Sequence, residues 1–392
     1  MRSLEAVRFG WAGTDGDSST SMLRPVILVK ATTLKLKYLV RRRTFRLLFH
    51  RLQPLNHLWY GIQIPDDSAY PCTLWSIAES EEELVCIDRL RQGEKLHVFL
   101  FNEEDIQVAA ATVEINFVPS GKDARFDGVE AATEGSWREH QDSIEEFLAP
   151  GTGITLVEGR PAEFVEWTEI RSALIKRDAG HCKLAMITGD EGEQQEVIAE
   201  WLVDVLDGPV AVRNPQVHEH RRPRELSDLL LNHEYGCILL ESKAVGILGR
   251  KDLPDRSALK KTVLKHLKKA MNQLVGACAN ICRGLPITDK AGKDVPVARD
   301  QPVHCIVLVP ELSLVAECEG LVNTLASSLL QDARAFLNIL DISELHNLVY
   351  NAASVASKSR SLTASWLSME YSSNDVSLRA AREIPTFVSG CA

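Results

Sequence analysis

The sequence lacks the patterns that mark several common protein classes. No apolar run approaches the ~20 residues that a membrane helix needs, so a spanning segment is excluded. The nine cysteines are scattered, with neither a CxxC pair nor a histidine at zinc spacing, and a structural zinc site is therefore not expected. Residues 119–128 do not match the GxxxxGK[ST] phosphate loop and are predicted to be a plain loop. The GxSxG turn of serine hydrolases is absent as well.

The N-terminus also lacks the apolar centre of a signal peptide. We expect residues 1–23, a polar stretch, to form a short flexible tail. Cys278 and Cys282 lie four residues apart on a predicted helix and are interpreted as free core cysteines. Unpaired cysteines fit a reducing compartment, and we therefore expect a cytoplasmic protein.

What the sequence does contain is the composition of an average globular protein, with 45% hydrophobic and 25% charged residues. Its length of 392 residues predicts two domains. The net charge of −10 argues against a nucleic-acid partner, but the charge is unevenly distributed. Residues 213–269 hold thirteen Lys/Arg against seven Asp/Glu, and residues 24–51 hold nine Lys/Arg and no Asp/Glu. Such local fields can steer a polyanion, although solvated faces that balance acidic ones elsewhere explain them as well.

The chain is expected to begin with a β-rich domain over residues 24–130. Its strands are predicted at residues 25–31, 58–64, 95–101 and 106–118, where apolar stretches alternate with polar turns. Helical stretches at residues 137–149 and 164–176 predict a helical linker over residues 131–180. A second domain over residues 181–350 and a C-terminal segment over residues 351–392 complete the predicted organisation.

The second domain has the pattern of an αβ structure. The predicted helices are an amphipathic one at residues 193–206 and a long one from about residue 257 to residue 283. Asp341, with Glu344 three residues later, fits the start of a further helix. The predicted strands are residues 183–187, 209–217, 227–231, 237–245, 303–309 and 335–340.

Charged residues lie at the edges of two of these strands, in LSDLLLNHEYGCILLESK (residues 226–243). The Asn and Gly between the two apolar runs predict a hairpin turn. If pairing centres near residue 234 or 235, Asp228 lies opposite Leu240 or Glu241, with ~4.5–5.5 Å between cross-strand neighbours. Glu241 and Lys243 share a face because strand side chains alternate. The spacing therefore predicts a compact cluster of two carboxylates and one lysine.

This cluster has a chemical use and a plain alternative. The carboxylates of Asp228 and Glu241, with the backbone carbonyl of Ser242, offer oxygen ligands for Mg²⁺ or Mn²⁺. A bound cation lowers the pKa of its water and offsets charge on a phosphate, and Lys243 can orient that water or stabilise the transition state. The alternative is a structural ion pair between Glu241 and Lys243, which gives Asp228 no role.

The order of elements around the cluster resembles that of the PD-(D/E)xK nuclease superfamily, which has the restriction-endonuclease-like fold and includes the nuclease-related domains. A glutamate-bearing helix, a strand, Asp228 at the start of a second strand, the triplet Glu241-Ser242-Lys243 on a third strand and a long helix follow one another. The resemblance covers about residues 190–345. The sequence departs from the family pattern at one position: Ser227, rather than proline, directly precedes Asp228.

The resemblance implies a role for each residue. Asp228 matches the metal-binding aspartate, Glu241 the acidic ligand and Lys243 the catalytic lysine. A helical glutamate matches the auxiliary acid, and Glu196 is best placed, with Glu193 and Glu200 as alternatives. Basic residues beside the site are expected to contact phosphates, although each one singly is equally well explained as solvated surface. They are Lys261, Lys265, Lys268, Arg222 and Arg224, with Arg221 beside them.

The predicted fold class is α/β, or α+β overall, with a restriction-endonuclease-like mixed sheet flanked by helices behind a β-rich N-terminal domain. We expect a metal-dependent nuclease that acts on nucleic acid, with DNA favoured and defence or DNA processing as the associated process. The alternatives are an inactive nuclease-fold protein that binds nucleic acid or protein, and a plain interaction module. No membrane partner is expected. The sequence is compatible with a homodimer and with a protein partner that binds the N-terminal domain.

Overall fold

The computed structural model divides the chain into two compact units, Met1–Arg171 and Ser172–Ala392. Within the described ranges, none of the helices combines the length and the apolar character that crossing a bilayer requires. The structure describes residues 5–12, 23–52, 56–69, 71–115, 128–133, 158–169, 172–177, 180–185, 195–200, 210–219, 222–233, 236–247, 250–315, 324, 327, 329 and 335–356.

The described residues of the N-terminal unit form one sheet, with strand order β1-β2-β6-β7-β8-β3-β4-β5, and two helices. All described neighbours in the sheet are antiparallel except β2 and β6. In chain order the elements are β1 (Ala6–Ala12), β2 (Arg24–Lys30), α1 (Thr33–Arg42), β3 (Thr44–Leu52), β4 (His57–Ile64), β5 (Cys72–Ile77), α2 (Glu81–Arg91), β6 (Leu96–Phe101), β7 (Gln107–Ile115) and β8 (Glu158–Glu169).

The two edge strands of this sheet approach each other. Arg8 of β1 donates to the carbonyl oxygen of Ile77 in β5 at 3.3 Å. The sheet therefore curls toward a barrel around an apolar interior, where the ring of Phe9 lies 6.5 Å from that of Phe49 and 4.9 Å from that of Tyr60. Burial of such large rings is a main source of stability for a β-rich unit.

The prediction of a flexible tail over residues 1–23 is wrong for residues 6–12. These residues form β1, which pairs with β2 and buries Val7 and Phe9. The physical reason is visible in the sequence, because Val7, Phe9 and Trp11 alternate with other residues at the period of a strand. A tail that contributes an edge strand is part of the sheet.

The helix predicted at residues 164–176 is also wrong. Residues 164–169 belong to β8 and residues 172–177 form β9 (Ser172–Arg177). Phe164 and Trp167 have helical spacing, but β8 pairs with β3 on one side and β7 on the other, and these ladder bonds decide the conformation. The strands predicted at residues 25–31, 58–64 and 95–101 are confirmed, and the one predicted at residues 106–118 is confirmed up to residue 115, beyond which it lies outside the described residues. The helix at residues 137–149 and the loop up to residue 127 lie outside the described residues.

The C-terminal unit contains a five-stranded mixed sheet with strand order β11-β14-β15-β17-β18, of which β11, β14 and β15 are antiparallel and β15, β17 and β18 parallel. Two small sheets, β13-β12-β16 and β10-β9, accompany it. After β9 the elements are β10 (Gly180–Ala185), α3 (residues 195–200), β11 (Val210–Arg213), β12 (Gln216–Glu219), β13 (Arg222–Glu225), β14 (Leu229–His233), β15 (Gly236–Ser242), α4 (Arg256–Cys282), β16 (Ile287–Thr288), β17 (Val303–Leu308), a 3-10 turn (Leu312–Leu314), β18 (Ala335–Leu340) and α5 (Ile342–Ala356).

Helix α4 packs on one face of the five-stranded sheet. Its inward stripe, predicted from helical spacing, is buried, and the helix ends before Gly284, which has a φ of 74°. Cys278 of α4 approaches Cys305 of β17 with 3.5 Å between the sulfur atoms. Cys305 pairs with Leu239, so the residues of β15 that share a face with Leu239, including Glu241, point toward α4. The buried stripe consists of Leu259, Val263, Leu267, Ala270 and Leu274.

One predicted strand of this unit is divided in two. Within the strand predicted at residues 209–217, residues 210–213 form β11 and residues 216 and 217 belong to β12, because Asn214 has a φ of 48° and Pro215 follows it, which breaks the ladder. The N-cap at Asp341 is confirmed, since its Oδ1 accepts the backbone N–H of Glu344 at 3.0 Å. The predicted fold class is confirmed as well: a β-rich N-terminal sheet is followed by a mixed sheet with helices.

Candidate functional site

The hairpin of β14 and β15 sets Asp228 against Glu241. Leu229 pairs with Leu240 and His233 pairs with Gly236, so pairing centres between residues 234 and 235, as the sequence predicts. Asp228 directly precedes Leu229 and Glu241 directly follows Leu240. Residues opposite each other on antiparallel strands point to the same face. Both carboxylates therefore lie at one end of the hairpin, on the side of α4.

Lys243 joins the two carboxylates. Its Nζ lies 2.6 Å from Oε2 of Glu241 and 3.5 Å from Oδ2 of Asp228. The side chain of Glu241 is 1% exposed, and those of Asp228 and Lys243 are each 13% exposed. A charged group at that depth needs compensation. Two carboxylates with one ammonium leave the cluster with one uncompensated negative charge when all three are ionised.

Burial and proximity perturb the protonation of this cluster. Burial, followed by the charge of Asp228, raises the pKa of Glu241 to about 7, although Lys243 opposes the shift. Burial acts to lower the pKa of the Lys243 ammonium, but the charges of Glu241 and Asp228 outweigh it and the pKa is raised. Lys243 is therefore cationic at neutral pH, whereas Glu241 is divided between its two protonation states.

Ser242 orients Asp228 through its backbone. Its N–H donates to Oδ2 of Asp228 at 2.6 Å, which leaves Oδ1 of the carboxylate for another ligand. The hydroxyl of Ser242 points to the opposite face of the sheet and is buried, without a hydrogen-bond partner among the residues that the structure describes. The backbone N–H of Ser242 is thus the group that contacts the cluster. The sequence had instead predicted a role for its backbone carbonyl, as an oxygen ligand of a metal ion.

The helical glutamates lie beside the cluster but pair with a different cation. Nη2 of Arg213, on β11, lies 3.1 Å from Oε2 of Glu196, and Nε lies 3.7 Å from Oε2 of Glu200. Burial is the largest cause that raises the pKa of Glu196, and the charge of Asp228 adds to it. Glu193 lies outside the described residues. Arg213 was not predicted as a site residue. The only sequence feature that could have identified it is its position as a charged residue within an otherwise apolar strand.

Two further residues near the cluster were missed. Glu225, exposed at the end of β13, contributes negative charge that raises the pKa of both Glu196 and Glu241. Burial, followed by the positive charge of Lys243, lowers the pKa of His266, which is half-buried on α4. Glu225 lies three residues before Asp228, but that spacing does not show which way its side chain points, whereas His266 belongs to a helix that packs against β15 from later in the chain.

The predicted phosphate contacts are exposed on two elements, Lys261, Lys265 and Lys268 on α4 and Arg222 and Arg224 on β13. Among the described residues, Lys243 is the cation that contacts the carboxylate pair. The five predicted phosphate contacts are accessible to solvent. Arg221 lies outside the described residues.

The donor set can be compared with the needs of a metal ion. In the described part of the chain, no group of three or more His, Cys, Asp or Glu side chains is arranged to hold one. The pair of Asp228 and Glu241 has the hard oxygen donors that Mg²⁺ prefers, and Mg²⁺ is usually held through one or two carboxylates with water and phosphate oxygens as its other ligands. The residues present therefore fit a weakly chelated cation better than a protein-enclosed one.

Comparison with known proteins adds little to this geometry. No family model matches the chain, and no curated protein matches it. A solved structure of SfsA from Pyrococcus furiosus in complex with Ca²⁺ matches with 11% sequence identity and a TM-score of 0.18, over 76% of this chain and 88% of that chain. At that TM-score the match carries no argument about this chain.

Proposed function

We propose that this protein is a divalent-metal-dependent nuclease that hydrolyses phosphodiester bonds of nucleic acid, with DNA as the favoured substrate. The observation that supports it is the convergence of Asp228, Glu241 and Lys243 at one end of the hairpin, with Nζ of Lys243 within 3.5 Å of both carboxylates. A bare ion pair needs only one carboxylate. The second one, held in place by the backbone N–H of Ser242, gives the cluster the excess negative charge that a cation requires.

The roles of the residues follow from their positions. Asp228, fixed through Oδ2, would offer Oδ1 to Mg²⁺ or Mn²⁺, and Glu241 would offer its carboxylate from the same face. When bound, such a cation acidifies a water ligand and offsets charge on the phosphate. Lys243 would hold its ammonium beside the attacking water or the charge that develops on phosphate oxygens. Glu196 would act indirectly, through its charge near Asp228.

The remaining roles are assigned on the same basis. Catalysis belongs to residues 181–350 in this proposal, and the β-rich residues 24–130 recognise a partner or a nucleic-acid end. The phosphate contacts in this proposal are exposed basic side chains, which a polyanion would follow: Lys261, Lys265 and Lys268 on α4, and Arg222 and Arg224 on β13.

The test is cleavage of labelled DNA and RNA, single- and double-stranded, with Mg²⁺, with Mn²⁺ and with chelator. Glu241→Gln and Lys243→Met should each lower the cleavage rate by about 10²–10³-fold, the usual effect of removing a group that stabilises transition-state charge. Glu114→Gln is the matched control, because Glu114 forms an exposed ion pair with Lys95 in the N-terminal unit. Equal cleavage by all variants, or none by the wild type, would show that the proposal is wrong.

A second candidate is a non-catalytic protein on the same scaffold that binds nucleic acid. The observation that favours it is the ammonium of Lys243, which lies within 3.5 Å of both carboxylates and compensates part of their charge. Titration with Mn²⁺ separates the two candidates. A protein that binds DNA, yet shows no Mn²⁺ affinity that depends on Asp228 and Glu241, is a binding module.

A further inference from the structure

The inference concerns how many cations the site takes. The family resemblance implies a third acid, Glu196, beside Asp228 and Glu241, and a third carboxylate is what would let such a site enclose a cation or hold two of them. Among the residues that the structure describes, however, no group of three His, Cys, Asp or Glu side chains could hold a metal ion. The contacts of Glu196 therefore decide the number of cations.

Glu196 meets the sheet on the face that is turned away from α4. Its partner Arg213 pairs with Leu229, which in turn pairs with Leu240, and cross-strand partners point to the same face. Glu241 directly follows Leu240 and points to the other face, because strand side chains alternate. The carboxylates of Glu196 and Glu241 therefore approach the end of the sheet from opposite sides.

The guanidinium of Arg213 holds both glutamates of α3. Nη2 lies 3.1 Å from Oε2 of Glu196, and Nε lies 3.7 Å from Oε2 of Glu200. The two glutamates are four residues apart and share one side of the helix. Their side chains are each 18% exposed, so solvent screens the contact only in part. A planar, permanently charged group with donors on more than one edge suits two carboxylates at once.

This arrangement repeats the charge balance of the cluster next to it. Arg213 serves the two glutamates of α3 as Lys243 serves its own carboxylate pair. The two groups are attached to neighbouring strands, since the N–H of Asn214 donates to the carbonyl of Asp228 at 2.9 Å. The cations differ, because a lysine ammonium on a flexible stem can shift beside a metal, whereas the guanidinium fork is fixed by its planar geometry.

We propose that Arg213 takes the place of a second cation by holding both glutamates of α3, so that the site binds one divalent cation, on Asp228 and Glu241. Arg213 is a positioning residue in this scheme, since it acts through Glu196. The catalytic meaning of the inference rests on the proposed nuclease function. The number of bound cations does not, because it can be measured whether or not the protein cleaves nucleic acid.

The first experiment titrates the full-length protein with Mn²⁺ and follows the free ion by electron paramagnetic resonance. The wild type should bind one equivalent. Glu241→Gln should raise the Kd at least about tenfold, because it removes a ligand. Glu196→Gln should change the Kd less than about threefold, the range of a partly screened charge. Glu200→Gln is the matched control, since Glu200 lies on the same helix, contacts the same Arg213 and undergoes the same change of charge.

The pair of glutamate variants decides the inference. A tenfold loss of affinity in Glu196→Gln but not in Glu200→Gln would make Glu196 a ligand, and the inference would be wrong. Two equivalents in the wild type would overturn it as well. One equivalent that depends on Glu241, without cleavage by any protein, would refute the proposed function and leave the inference standing. A wild type that binds no Mn²⁺ would contradict both.

The second experiment replaces the guanidinium. Arg213→Gln should bind two equivalents of Mn²⁺ instead of one, because the glutamates of α3 lose this cation and keep the one or two carboxylates that such an ion needs. Arg213→Lys should stay at one equivalent, and so should the double variant Arg213→Gln/Glu200→Gln. A merely structural role would not alter the number of bound ions, so a single equivalent in folded Arg213→Gln would refute the inference. If Arg213→Gln does not fold, the comparison of Glu196→Gln with Glu200→Gln still decides.

Discussion

Replacement of Glu241 by glutamine should stabilise the protein at alkaline pH and leave its stability unchanged in acid. Glu241 is buried to 1% exposure beside a second carboxylate, and its pKa is raised to about 7. Glutamine has nearly the shape of the protonated side chain and cannot ionise. The substitution therefore removes the ionised form, which is the form that the site disfavours.

The magnitude follows from the difference between the pKa in the folded protein, about 7, and the ordinary value of 4.5. Between these two pH values the unfolded chain has released its proton and the folded protein still holds it, so stability falls by about 1.4 kcal/mol per pH unit. The total loss is about 3 kcal/mol and is complete above pH 7. At pH 8 the Glu241→Gln variant should exceed the wild type by that amount, and below pH 4.5 the two should agree.

Hydrogen exchange of the peptide that contains Gly236–Ser242, in chelator, measures this stability for the unit concerned rather than for the whole two-unit chain. Each protein is measured at a series of pH values, with exchange corrected for the intrinsic rate. Divalent cation should then stabilise the wild type at pH 8, by about 2.7 kcal/mol at a hundredfold excess over its Kd. It should stabilise Glu241→Gln less.

A difference between the two proteins that stays constant from pH 4.5 to pH 8 would refute the reasoning, because it would mean that Glu241 ionises at the same pH in the folded and unfolded chain. A wild type that gains stability as pH rises through this window would contradict it more strongly, since the sign requires the opposite.

Three further outcomes are expected. Lys243→Met leaves the buried carboxylates without a cation and should destabilise the C-terminal unit by about 3–5 kcal/mol at pH 8 and less at pH 5, measured by the same exchange series. Arg213→Met leaves the half-buried Glu196 unpaired and should lower stability by about 1–3 kcal/mol, measured by a thermal melt. Arg213→Lys keeps the positive charge and should lose less stability. Asp341→Ala removes the acceptor of two backbone N–H groups, each at 3.0 Å, and should lower the melting temperature through a loss of about 1–2 kcal/mol.

The N-terminal unit shows where local patterns mislead. Phe164 and Trp167 are spaced as on a helix, yet β8 lies between β3 and β7 and its backbone pairs on both sides. Conversely, Val7 and Phe9 alternate as in a strand within an otherwise polar terminus, and pairing with β2 makes that strand real. In both cases the deciding interaction is a ladder with a residue far away in the chain, which no window of sequence contains.

Local sequence is enough to predict the hairpin and its charged cluster. Fewer than twenty residues separate Asp228 from Lys243, so turn chemistry and strand alternation are enough to predict that both carboxylates and the ammonium meet. Helix α4 and its buried face could also be predicted from the sequence, because a stripe of apolar residues at helical spacing packs against the core.

The surroundings of that cluster depend on tertiary packing, which sets Arg213 against Glu196 and brings His266 of α4 within the electrostatic influence of Lys243. It also buried Glu241, which is the first cause of its raised pKa. The physical reason is that pairing within a hairpin is local, whereas desolvation and contacts between separate elements exist only after the whole unit has packed.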